Sequence, residues 1–186
     1  VLNVQFATYS AHSFPFRVDT AFAMDNLSGI YQTQFSVTAE ESGAISEPAY
    51  LKHLDDFSTW LRAQPEVVHV QTITDVFKRL NKNMHADDPA QYRLPEDREL
   101  AAQYLLLFEM SLPYGLDLNN QINVDKSATR LIATLTNITT VEARALQRRA
   151  EAWLGANMTS AADARATGPF IMFAFISERN IEGMLL

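Results

Sequence analysis

The sequence contains no cysteine. That absence removes disulfides, thiolate metal sites and cysteine nucleophiles together, and it fits any redox compartment, an oxidising one included. Basic residues are also few. Lys and Arg number 15 against 22 Asp and Glu, a net charge of −7. No Lys/Arg cluster reverses this locally, which argues against a nucleic-acid surface. No apolar stretch approaches the roughly 18–20 residues needed to span a bilayer. The longest, YLLLFEM, is interrupted by Glu109.

Catalytic signatures are missing as well. There is no G-x-S-x-G, P-loop or G-x-G-x-x-G, so nucleophilic hydrolysis and nucleotide binding lack a sequence warrant. His12, His53, His69 and His85 are scattered, with none at helical spacing from another histidine. They read as solvated or packed side chains, and no metal or other cofactor is expected. Asp87–Asp88 and Glu96–Asp97 lack the alternating ligands and central glycine of a calcium loop, and read as linker charge. Sequons at Asn26, Asn137 and Asn157 would matter only in a eukaryotic secretory protein.

What is present is an ordinary globular composition, 47% hydrophobic and 20% charged over 186 residues. That suffices for one sizeable core, or for one domain with an insertion. Two segments share a grammar. In the first, IYQTQFSV alternates as a strand should. Ser46 is then an N-cap candidate shortly before Pro48, and Leu51, Leu54, Phe57 and Leu61 recur at helical spacing until Pro65. VVHVQTI reads as a second strand, after which Thr74 or Asp75 caps a short helix carrying Val76, Phe77, Leu80 and Met84.

About 100 residues on, the order recurs. TRLIATLTN is a strand, and Thr139 with Glu142 forms a capping box. The helix it opens carries Leu146, Ala150, Trp153 and Leu154. GPFIMFAF is an apolar run of strand length, and ISERNIEGMLL begins another helix. Strands are thus expected near residues 30–37, 67–73, 129–137 and 168–174. Right-handed βαβ crossovers are strongly preferred, and two in one sheet give an α+β, ferredoxin-like split βαβ sandwich with both long helices on one face. Between the halves, residues 82–128 read as a helical insertion: a polar linker, the helix LAAQYLLLFEM with apolar residues almost all round, and a loop with turn signals at Pro113 and Gly115.

Four stretches resemble one family: FPFRVDTAFAMDNLSGIYQTQFSV, EVVHVQTITDVFKRLNKNMH, LPEDRELAAQYLLLFEMSLPYGLDLNNQINVDKSATRL and ISERNIEGML. They are similar to the extracytoplasmic loop domain of bacterial exporters of the RND superfamily, closest to the MMPL-like branch. PYGLDLNNQINVDKSATR and SERNIEGML are the most specific parts, and the resemblance covers nearly the whole chain. It implies a porter domain at the periplasmic face of the bacterial inner membrane. Residues 1–28 would then be a lead-in following a membrane helix, 29–81 the first βαβ half and 82–128 the insertion. Residues 129–176 would be the second half, and 177–186 the start of a helix leading to the membrane. Val1–Ser10 and Ile176–Leu186 are expected on one side of the domain. The family's proton-relay carboxylates lie in membrane helices, so none is assigned here.

The function implied is to contact hydrophobic or amphiphilic compounds or lipids and to move with the protein's own transmembrane domain, without covalent chemistry. The insertion helix has more apolar surface than one packing face requires. Tyr104, Leu105, Phe108 and Met110, with Tyr114 in the following loop, are therefore the expected substrate contacts. A second reading is an interaction module for homo-oligomer or accessory-protein contacts. A third, an enzyme on the same scaffold, lacks a catalytic constellation.

Overall fold

The computed structural model describes residues 15–26, 29–113, 117–161 and 163–184. In chain order its elements are α1 (Pro15–Asn26), β1 (Tyr31–Thr38), α2 (Pro48–Arg62), β2 (Val67–Gln71) and α3 (Ile73–Met84). There follow α4 (Arg98–Ser111), β3 (Ala128–Leu135), α5 (Thr140–Asn157), β4 (Ala166–Thr167) and α6 (Pro169–Met184). The alternation in β1 places Tyr31, Thr33, Phe35 and Val37 in the interior. In β3 the inward set is Thr129, Leu131, Ala133 and Leu135. These strands pair antiparallel along their length, from Tyr31 opposite Leu135 to Thr38 opposite Ala128.

β2 adds to the free edge of β3 and β4 to that of β1, both antiparallel, giving the order β2-β3-β1-β4. Helix α2 therefore connects two strands separated by β3, and α5 connects two separated by β1. Two βαβ units interleave in one sheet, and the architecture is an α+β sandwich.

The helix stripes explain the layering. Leu51, Leu54, Phe57 and Leu61 of α2 are fully buried, as are Ala150 and Leu154 of α5. Between the two helices Phe57 stacks on Trp153 at 5.3 Å and meets Phe35 of β1 edge-on at 5.3 Å. Each fully buried Leu or Phe among these stabilises the fold by about 1.5–3 kcal/mol. The outward face of β1 is polar, with Gln32, Gln34, Ser36 and Thr38.

Local signals account for most boundaries. The Thr139–Glu142 capping box forms as expected, with Thr139 accepting from the Glu142 backbone and Glu142 accepting from that of Thr139. Gly29 precedes β1 where a Cβ would come within 1.7 Å of the Leu135 carbonyl oxygen, so no other residue fits there. Other expectations need correction. Glu47, not Ser46, is the N-cap of α2, with Pro48 in the first turn; Ser46 is buried in a preceding 3-10 turn. β2 stops at Gln71, because Thr72 caps α3 by accepting from the Thr74 backbone; Thr74 and Asp75 lie inside the first turn.

The largest correction concerns residues 168–174. They are not a strand. β4 is only Ala166–Thr167, and GPFIMFAF enters α6. Gly168 turns the chain at φ 126, and Pro169 starts the helix, where a missing N–H costs nothing. Phe170, Ile171 and Ala174 are buried at helical spacing. A short apolar run has no periodicity that distinguishes strand from helix.

The insertion is tied to the sandwich by α4. Ala101, Tyr104 and Leu105 face the core. The Tyr104 hydroxyl donates to Asn81 Oδ1 at 3.0 Å, and Asn81 Nδ2 donates to the Gln91 carbonyl at 2.8 Å, linking α4, α3 and the linker. The linker carboxylates have structural partners too. Asp88 caps a 3-10 turn, Asp97 caps α4, and Glu96 pairs with Arg93. Val1–Ser10 lies outside the described residues.

Candidate functional site

The expected substrate contacts do not form one surface. Tyr104 and Leu105 are 5% and 3% exposed and belong to the core. Phe108 is half-buried and packs against it, and Met110, at 76% exposure, faces solvent. Tyr114 lies outside the described residues. The surplus apolar surface of α4 is real, but it is carried by Leu106, Leu107 and Met110.

The larger apolar surface is on α6. Met172, Phe173, Phe175 and Ile176 are all between 44% and 52% exposed. The helix is held in place from its other side: Phe170 stacks on Tyr31 of β1 at 4.2 Å, and Ile171 and Ala174 are buried. Arg144 of α5 lies 3.5 Å from the Phe175 ring centroid and pairs with Glu178 at 3.1 Å. Where α6 leaves the sheet, Ile30, Tyr31, Gln32, Pro169, Phe170 and Phe173 line a cavity of about 250 Å³. Reading 168–174 as a strand hid this site; the Gly168–Pro169 pair was the signal that would have found it.

A second cavity, of about 290 Å³, lies beside it on the open sheet face. Pairing brings part of its lining together: Ser36 is opposite Arg130, and Gln34 is opposite Thr167. Arg130 is the charged residue in its lining, with Gln34, Asn119, Asn120, Gln121 and Asn123. Arg130 Nε and Nη2 donate to Gln34 Oε1 at 3.1 and 2.6 Å, and Nη1 donates to the Asn120 carbonyl at 3.3 Å. Among the described residues no carboxylate pairs with Arg130.

The shifted ionisable groups have structural causes. Burial pushes the Tyr50 phenol far above its ordinary value; its hydroxyl donates to the Val37 carbonyl at 2.8 Å and meets Thr129 Oγ1 at 2.7 Å. Burial, with a smaller effect of the Asp97 carboxylate, raises Tyr104. The Thr139 backbone N–H and hydroxyl hold Glu142 below the ordinary carboxylate range. These groups lie at separate places and form no acid–base pair. Among the described residues no cluster of histidines and carboxylates is placed to hold a metal ion. No described helix is long and apolar enough to cross a membrane.

No family model and no curated protein matches this chain.

Proposed function

We propose that the chain is a porter domain at the periplasmic face of a proton-driven RND-type exporter of hydrophobic or amphiphilic compounds. It contacts cargo and couples to transmembrane helices of the same protein, and it catalyses no covalent step. The observation that carries this reading is the exposed apolar row Met172, Phe173, Phe175 and Ile176 on α6, beside an apolar cavity. Apolar surface gathered on one helix marks a ligand or partner site more than an ordinary solvated face.

Two further points support it. The interleaved βαβ order is what a ferredoxin-like porter subdomain requires, and the sequence resemblance runs through both halves. A sandwich of this kind suits rigid-body rocking during alternating access. The cargo contacts of this proposal are on α6, with α4 offering Met110 as an outlying apolar position.

The test is titration of the protein with a lipophilic fluorescent probe, alongside Phe173→Asp, with circular dichroism confirming that the variant is folded. Saturable binding weakened in the variant is the expected result. Binding equal in both, or absent from the parent, would move the α6 surface to protein–protein contact.

A further inference from the structure

Among the described residues Arg130 has no charge partner, although this protein carries a net charge of −7. A guanidinium has five N–H donors, and three contacts to neutral oxygens of Gln34 and Asn120 leave two unused. Those contacts orient the group against the sheet without neutralising it. Neutral amides of Gln34, Asn119, Asn120 and Asn123 surround the cavity, and no carboxylate is among its described lining residues. A fixed, uncompensated guanidinium with amide neighbours is the chemistry that recognises a carboxylate, phosphate or sulfate oxygen pair.

The neighbouring cavity supplies the second half of the ligand. Gln34 borders the Arg130 cavity and Gln32 borders the apolar one. They lie two residues apart on one face of β1, a spacing of about 7 Å. Thr167 of the edge strand β4 borders the first cavity, and Pro169, which starts α6, borders the second. A polar, positive subsite therefore adjoins an apolar subsite along the β1–β4 edge, with Pro169 and Phe173 at the far end.

We infer that these two cavities form one binding site for an anionic amphiphile. The oxyanion head sits on Arg130 within its amide cradle, and the alkyl chain runs along Pro169 and Phe173. This deepens the proposed function by naming a cargo class, and the α6 part of the site rests on that reading.

Calorimetric titration of the full chain below micelle-forming concentrations tests it, using decyl phosphate, decyltrimethylammonium and inorganic phosphate. Decyl phosphate binds at least about tenfold more tightly than the cation of equal chain length, since hydrogen bonds to charged groups are the strong ones. Inorganic phosphate binds more weakly than decyl phosphate and competes with it. Gln34→Glu, which gives Arg130 an internal carboxylate at the same place, abolishes the preference for the anion, and Arg130→Gln does the same. Equal affinity for both decyl compounds, or a preference that survives in either variant, overturns the inference. Inorganic phosphate binding as tightly as decyl phosphate also overturns it, by removing the chain from recognition. Equal affinity that is lost in Phe173→Asp would sink the anionic site and leave the apolar reading intact, whereas no binding of any probe would sink both.

Discussion

Trp60 of α2 and Trp153 of α5 lie with ring centroids 6.2 Å apart, tilted by 30°, and both rings reach Phe57. The two tryptophans occupy corresponding places near the ends of the two crossover helices. Their meeting couples the two βαβ halves at a point where no backbone hydrogen bond joins α2 to α5. A double-mutant cycle of Trp60→Ala and Trp153→Ala in denaturant unfolding should show a coupling of about 0.5–1.5 kcal/mol. Phe57→Ala, at a fully buried position, should cost about 3–5 kcal/mol. Strictly additive tryptophan effects would mean that the halves are joined elsewhere.

Tyr50 crosses from α2 to both central strands through its contacts with Val37 and Thr129. Its phenol is raised by burial, so the folded state favours the neutral form. That stability is complete below the unfolded value of about 10 and falls as pH rises above it. Tyr50→Phe should cost about 1 kcal/mol at pH 7. The gap between parent and variant should narrow in urea melts above pH 10, and a gap that widens there would contradict the assignment.

Glu142 gives the opposite sign. Its carboxylate is lowered by accepting from Thr139, so its contribution is present above the ordinary carboxylate value and is lost as pH falls through the lowered one. Thr139→Ala should destabilise by about 1 kcal/mol at neutral pH. Glu142→Gln should differ from the parent least in acid, which thermal melts across pH 2–7 would show.

Asn81 is buried and links Tyr104 to Gln91. Asn81→Leu leaves both partners without their hydrogen bonds and should cost about 2–3 kcal/mol, more than Tyr104→Phe at about 1 kcal/mol. Hydrogen exchange should locate the added opening in residues 89–111. Exchange spread evenly over the sheet would show that the insertion does not open by itself.

The sequence carried most of the sandwich because its central strands alternate cleanly and its two crossover helices have one stripe each. Leu51, Leu54, Phe57 and Leu61 became fully buried as their spacing required, and the Thr139–Glu142 box formed as written. The site was less legible for two physical reasons. The run 168–174 is apolar at every position after Pro169, so neither period stands out, and the Gly168–Pro169 turn decided in favour of helix. In α4, apolar residues on all sides concealed which face packs: Tyr104 and Leu105 turned inward, while Leu106, Leu107 and Met110 turned outward. Arg130 gave no local signal, because the Gln34 side of its cradle is far away in the chain and is brought to β3 by sheet pairing.

The most direct test of the proposed exporter role is photocrosslinking in membranes of cells that express the protein. A benzophenone side chain replaces Phe173 on α6 in one variant, and Val68 on β2, also exposed, in another. A radiolabelled alkyl phosphate is added with and without a proton gradient. The account predicts labelling at position 173 that changes when the gradient is collapsed, with little labelling at position 68. Equal labelling at the two positions, or labelling at 173 indifferent to the gradient, would contradict it.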